Sequence, residues 1–408
     1  MKIQFVKTWT RTLALLLIGL PITMLAQEFA TRWVPVNPSA RSSALGRMSV
    51  MDNGSSALFH NPAALGHFEQ LTIGGYASLN TLSQTSGHLG SLSSSGKTQT
   101  TALKAPLNLS VIYPFPDLSY DYVKMAYGIG YSRYFQWVDE HSWSFQEDES
   151  DYDRVLAGSP GVDVIHVGAG ARMWDRFSVG MTVHYIPSGD YHSRDVIYID
   201  DVYKRGFAQT YTTESVTFVS TGMLLTVADS LDIGFSITAP FEWSTKNYWT
   251  SENTILREHT LYKAPLSLGY GLTFTKGLIR INYEGNINHY SNMELDDWPI
   301  DVEDGIGNRL GLEYTWNTTK IRTGFYADKL PATNGSDQAP VPISGITFGA
   351  GFPLGKLTVD VAVDHYSWTS EAFMNSLLAE NGDYEDKISG NIFLLELNYL
   401  LSYKIQRF

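Results

Sequence analysis

Apolar residues recur at every second position along most of this chain, a spacing that belongs to strands, because successive side chains of a strand point to opposite faces. Near the C-terminus Phe393, Leu395, Leu397, Tyr399, Leu401, Tyr403 and Ile405 share one face, while Glu396, Asn398, Ser402, Lys404 and Gln406 share the other. Ile279, Ile281, Tyr283 and Ile287 alternate likewise with Arg280, Asn282, Glu284, Asn286 and Asn288. Elsewhere the second face is small: Leu266, Leu268, Tyr270, Leu272 and Phe274 stand opposite Ser267, Gly269, Gly271, Thr273 and Thr275. About fourteen such segments can be placed between residues 68 and 408.

The connections between them take turns in length. Short ones fall at Trp174 to Arg176, Asp229 to Ser230, Lys276 to Gly277, Asn317 to Thr319 and Pro353 to Lys356, and long ones near 138 to 160, 188 to 208, 246 to 256 and 369 to 387. Outer-membrane barrels have this arrangement, with tight periplasmic turns, long external loops and an even strand count. The expected fold is therefore all-β, a transmembrane antiparallel β-barrel of about fourteen strands spanning residues 68 to 408, set in outer-membrane lipid of a Gram-negative bacterium with both termini periplasmic. Trp137, Trp174, Trp243, Trp249, Trp316 and Trp368 lie near predicted strand ends, where indole rings would sit at the membrane interface.

Composition agrees. Charged residues make up 17% of the chain, below the roughly 25% usual for soluble domains. Lys2, Lys7 and Arg11 precede an apolar run from Leu13 to Leu25 that is too short to span a membrane, so residues 1 to 26 read as a signal peptide ending at Ala26. The formal charge is -13, and those first residues carry three cations and no acids, so the remainder is more acidic still and nucleic acid is not an expected partner. With no cysteine there is neither a disulfide framework nor a thiolate zinc site.

Other chemistry finds little footing. The ten histidines show no HExxH spacing, His166 and His184 read as lumenal residues, and neither a metal nor a cofactor is expected. Gly168 and Gly170 alternate within a strand pattern, and no helix follows to make a phosphate loop. Ser193, His192 and Asp195 sit together in a predicted external loop, a poor place to preorganise a triad, so an enzyme is not expected.

Residues 27 to 67 lack alternation and are rich in small and turn residues, and forty residues cannot bury a core of their own. They are expected to pack inside the barrel. Ala40-Arg41 through Ala44-Leu45-Gly46, then Asp52, Ala57 and Asn61-Pro62-Ala63 before the first strand, resemble the FadL-type outer-membrane transporters and their PorV/PorQ relatives associated with type IX secretion. The resemblance implies a lumenal hatch beside which hydrophobic ligands pass, leaving laterally through the wall. It assigns hatch or gating roles to Arg41, Gly46, Asp52, Asn61, Pro62 and Ala63. Arg47-Met48-Ser49 replace the small residues usual after Leu45-Gly46, which puts tight packing there in question.

From the residues, Asn61 could bond backbone groups, Pro62 would fix a turn, and Ala63 would permit close approach to the wall. Arg41 and Asp52 could fasten the segment to Glu284, Glu313, Arg280 or Arg322. Phe373, Met374, Leu377 and Leu378, on one face of a short loop helix, are candidates for an external ligand recess. The functional expectation is a FadL-like channel for a hydrophobic small molecule such as a fatty acid. The alternative is a PorV/PorQ-like accessory of type IX secretion that engages secretion-system proteins, and a general aqueous porin comes third.

Overall fold

The alternating segments form fourteen antiparallel strands, each paired with its neighbours in chain order, and the last pairs with the first. They are β1 (Leu71–His88), β2 (Gly96–Pro114), β3 (Val123–Phe135), β4 (Val162–Met173), β5 (Phe177–Ile186), β6 (Val216–Ala228) and β7 (Leu231–Thr238). The second half comprises β8 (Ser267–Lys276), β9 (Ile279–Asn288), β10 (Gly305–Trp316), β11 (Thr319–Asn334), β12 (Asp337–Leu354), β13 (Leu357–Ser370) and β14 (Tyr384–Leu401). The computed structural model describes residues 39–88, 96–115, 122–135, 140–147, 150–158, 162–199, 202–251, 254–292, 294–295, 298–299, 303–334, 337–370 and 384–401. The expected signal peptide and the loop residues Phe373, Met374, Leu377 and Leu378 lie outside them.

Closure is complete along the β1–β14 seam, where Leu71 through His88 pair without interruption with Leu401 through Tyr384. A closed ladder leaves no strand edge, which lets an apolar face point outward. Ile281, Leu312, Phe325, Phe348 and Val361 are all exposed on that outer face, while Asn282, Glu313, Arg322, Thr347 and Asp360 are buried on the inner one. Such an exterior is matched to lipid and the interior to polar contacts.

The long connections are more ordered than their sequence suggests. Hairpins Glu140–Glu147 with Ser150–Gly158, Gly189–Ile199 with Val202–Thr213 and Phe241–Ser251 with Thr254–Ala264 join a short pair, Glu294–Leu295 with Trp298–Pro299, in one eight-stranded sheet. The alternating pattern runs on from residue 231 to 245 and from 257 to 275 as if each were one strand, but the structure breaks them at residues 239–240 and 265–266. Pro240 and Pro265 occupy the breaks and Pro187 a third one after β5, since proline offers no N–H to continue the ladder.

Two of the six tryptophans behave as expected: Trp174 (67% exposed) and Trp316 (61%) stand outward at the tight-turn end. Trp243 (4%) and Trp368 (5%) do not, because both turn inward into apolar clusters. Parity explains the error, for Trp368 shares the face of Asp364 and Tyr366 rather than that of Val363. The side chains of Trp137 and Trp249 lie outside the described residues.

One wall seam is only partly zipped. β2 pairs with β3 from Pro114↔Ala126 to Asn108↔Ser132, and beyond that point the described residues of β2 pair with β1 alone. The β1–β2 register also shifts there, with residues 105 to 107 set against Ala77. Pro106 lies in that bulge and has no N–H to give to either neighbour.

Candidate functional site

The candidate site is the inner wall together with residues 39–67, which run around it. Ser39 caps a short helix α1 (Ala40–Ala44), its hydroxyl accepting from Ser42 N at 3.1 Å. A second turn, α2 (Ala57–His60), leads into a 3-10 helix at Pro62–His67, capped by Asn61, whose Oδ1 accepts from Ala63 N at 3.2 Å. Pro62 takes the first helical position, where a missing N–H costs nothing. Ala44, Ala57, Leu58, Ala63, Ala64 and Leu65 are fully buried.

The segment is held by side chains of the wall. Glu396 accepts from Ser39 Oγ (2.8 Å) and Arg41 N (3.3 Å), and Thr347 Oγ1 accepts from Gly46 N (3.0 Å). Arg47 Nε donates to Asp364 at 2.6 Å. Glu284 accepts from Ser49 N and Met51 N, both at 2.7 Å, and its strand neighbour Arg309 donates to Arg47 O at 2.7 Å. Arg280 donates to Met51 O at 3.3 Å. Buried charges are tolerable only when hydrogen-bonded, and these carboxylates and guanidinia spend themselves on the segment's backbone.

Close approach needs bare wall. Gly46, at φ +80°, lies on the carbonyls of Phe325 and Leu310, and Gly324 on β11 lies directly beneath it. Gly180 on β5 faces Pro62 and Gly222 on β6 faces Asn61. The small inner faces seen in the sequence are thus the footprint of this segment. The doubt about packing after Leu45-Gly46 is resolved: the chain lies tightly against the wall, and Arg47 itself turns to Asp364.

Several expected contacts are different. Asp52 does not reach a wall cation; it closes its own turn, accepting from Gly54 N and from Ser56 Oγ. The side chain of Arg41 makes no ion pair among the described residues, and its backbone N–H is the group that meets the wall. Both residues lie too close in sequence to a turn or cap that uses them. Asn61 Nδ2 donates to Val50 O at 2.7 Å, tying the two halves of the segment together. Arg322 bridges Glu313 and Asp360 within the wall instead of reaching inward.

Sequence reasoning missed Arg47 and Asp364 as partners, although an acid on an inner face in mid-strand is itself a signal that a cation must come to it. It also missed two apolar clusters turned into the lumen at the long-loop end. One consists of Tyr326, Leu330, Val341, Ile343, Tyr366 and Trp368, with Ile392 against it. The other consists of Val164, Ile186, Phe218, Phe241, Trp243 and Ala264. Below the second runs a polar chain in which His166 and His184 share a 2.6 Å Nδ1 to Nδ1 bond, flanked by Ser132 and Ser220 at 2.7 and 2.8 Å. Phe59 of the segment meets His166 edge-on.

No family model and no curated protein matches this chain. Solved structures do. A Pseudomonas aeruginosa FadL homologue superposes with a TM-score of 0.62 at 12% identity, covering 91% of this chain and 100% of that one. The Pseudomonas putida toluene transporter TodX gives 0.58 at 11%, covering 89% and 98%. This is the FadL-type barrel fold. The Ralstonia pickettii toluene transporter TbuX shares the FadL-type fold too, at a TM-score of 0.53 and 11% identity over 88% of this chain and 97% of that one.

Two histidines make the seating of residues 39–67 depend on pH. Burial pushes His60 down to about 4, Arg309 adding to the shift and Asp52 opposing it. Burial, then Arg172, takes His67 to about 4 as well. Both begin from 6.5 when released, so the released segment binds more protons between pH 6.5 and 4. Seating is therefore strongest above 6.5 and weakens as pH falls through that window. Amide exchange in residues 39–67 should accelerate from pH 7 to pH 5, after correction for intrinsic rates, and replacing both histidines by asparagine should flatten the change. A pH-independent protection factor in the unaltered protein would refute the assignment.

Proposed function

We propose that this protein is an outer-membrane channel for hydrophobic small molecules, with residues 27 to 67 as its hatch. The observation that carries the reading is the pair of apolar clusters facing into the lumen on the long-loop side of the seated segment. An aqueous porin lines its pore with polar groups and leaves it open. A protein that only holds secretion partners at the membrane has no use for aromatic rings turned into its own interior. A lipophile seated among these rings gains roughly 25 cal/mol for each Å² of its own apolar surface taken out of water.

The remaining parts fit the same use. Arg41, Gly46, Asn61, Pro62 and Ala63 hold the hatch closely against its glycine seats, with Asp52 shaping it from within. The half-zipped β2–β3 seam lies between the two clusters around the wall and supplies a lateral way out that spares a hydrophobic molecule the aqueous periplasm. TodX and TbuX are described as toluene transporters, which supports a lipophilic cargo here. Residues 1 to 26 act in this reading as the export signal, and the tight turns face the periplasm with both termini.

Native mass spectrometry of the full protein purified from its own membranes tests this. A lipophilic molecule bound in stoichiometric amount is the expected outcome. An empty barrel that brings down secretion-system proteins would sink the proposal.

A further inference from the structure

On its tight-turn side the seated segment meets more cations than the nearby acids can hold. Arg41 projects from α1 with its Nε enclosed and without a hydrogen-bond partner among the described residues, and its charge acts on Arg280, Lys320 and Glu313. Those three stand on the inner faces of β9, β11 and β10, close to the tight turns. Among the described residues Arg280 donates only to neutral oxygens, Asn282 Oδ1 at 3.1 Å and Met51 O at 3.3 Å. Lys320 Nζ stands 3.6 Å from one oxygen of Glu313, whose other oxygen accepts from Arg322 Nε at 2.7 Å. The remaining acids in reach are spent elsewhere: Asp360 on Arg322, Asp52 on Gly54 N and Ser56 Oγ, Asp232 on Thr226 Oγ1 and Glu396 on Ser39 Oγ.

Cations gathered in a half-buried site repel one another unless an anion sits among them, and guanidinium forks with an ammonium suit an anion that offers several oxygens. The Lys320 side chain is 42% exposed, so the site is open to solvent. We propose that Arg41, Arg280 and Lys320 bind a small oxyanion, inorganic phosphate, which locks the segment onto the wall. Arg41 belongs to the segment and the other two to the wall, so an anion held by all three is lost when the segment leaves. The ladder from β9 to β13 is continuous beside the site, which keeps lipid headgroups out and makes a free anion the occupant. The site lies on the opposite side of the segment from the two apolar clusters, and the inference rests on the hatch of the channel reading but on no particular cargo.

The test is titration calorimetry of sodium phosphate into the full-length protein in lipid nanodiscs at pH 7.5, with sodium chloride holding ionic strength constant and empty nanodiscs as the blank. One phosphate per chain should bind with Kd of about 1 mM or tighter, and about 10 mM phosphate should then slow amide exchange in residues 40–46 roughly tenfold relative to chloride. Lys320→Gln, a change on the wall alone, and Arg41→Gln should each weaken binding at least tenfold. Lys124→Gln should leave it unchanged, since that cation of the same end pairs with Glu69 at 2.7 Å. No binding to the unaltered protein overturns the site without any variant having to fold. Equal slowing by chloride overturns the oxyanion site, binding without slowing overturns the lock, and unchanged binding in both the Lys320→Gln and Arg41→Gln proteins removes these residues from the site. Cargo binding is decided separately by the mass-spectrometric test above.

Discussion

Gly324→Ala should open the barrel to ions without unfolding it. A methyl group at that position would fall against the backbone of Leu45 and Gly46, with Gly46 Cα at 2.7 Å, and neither neighbour can rotate out of the way. Overpacking of this kind costs about 1–3 kcal/mol, which translates into roughly a 5- to 150-fold rise in the unseated fraction of the segment. The barrel has no reason to suffer, because the outward face of β11 and its pairs with β10 and β12 are untouched. Single-channel conductance in planar bilayers reads the effect, with heat-modifiable gel mobility confirming an intact barrel. Gly75→Ala is the control, since a methyl there meets only Leu109 Cδ2 at an ordinary 3.4 Å. If the Gly324→Ala protein conducts no more than the control, the segment does not occlude the pore.

The barrel was readable from the chain because it depends on two signals that survive in one sequence, period-2 alternation and the regular exchange of short and long connections. Strand number and the face of Glu284, Glu396 and the His166–His184 pair follow from parity alone. What parity cannot give is depth along the axis. Trp243 and Trp368 looked like interface anchors because they stand near strand ends, and only the inner face of their own strands, shared with Asp364 in the case of Trp368, shows that they point inward. The loop sheet was invisible for a related reason: its strands adjoin barrel strands across a two-residue break at Pro240 or Pro265, so the alternation runs on across the membrane rim. Contacts of the segment were the hardest to see. Most run between wall side chains and backbone groups, as from Glu284 to Ser49 N and Met51 N, and the amide of a residue leaves no mark in its name.

That same feature makes Glu284 the most consequential single side chain in the seat. Residues 49 and 51 are two apart, so their N–H groups point to one side as on an extended strand, where a neighbouring strand would ordinarily accept from them. No strand does so here; the two oxygens of Glu284 take that place at 2.7 Å each, while Arg309, its cross-strand partner, donates to Arg47 O. A side-chain grip of this sort satisfies the buried backbone but can be released in a way that a continuous ladder cannot. Glu284→Ala removes both acceptors at once and strands one buried and one half-buried donor, Met51 N and Ser49 N, at about 1–3 kcal/mol for the buried one, so exchange at these two amides should quicken by roughly 10-fold or more. Glu284→Gln retains one acceptor oxygen and should fall between. The readout is hydrogen exchange in residues 48–52 measured against β9 amides, which should stay protected because their ladder bonds to β8 and β10 do not involve the side chain. Unchanged protection at Ser49 and Met51 in the alanine protein would mean that the glycine seats alone hold the segment, and the hatch would then have to move as a rigid body rather than by letting go of the wall at this one carboxylate.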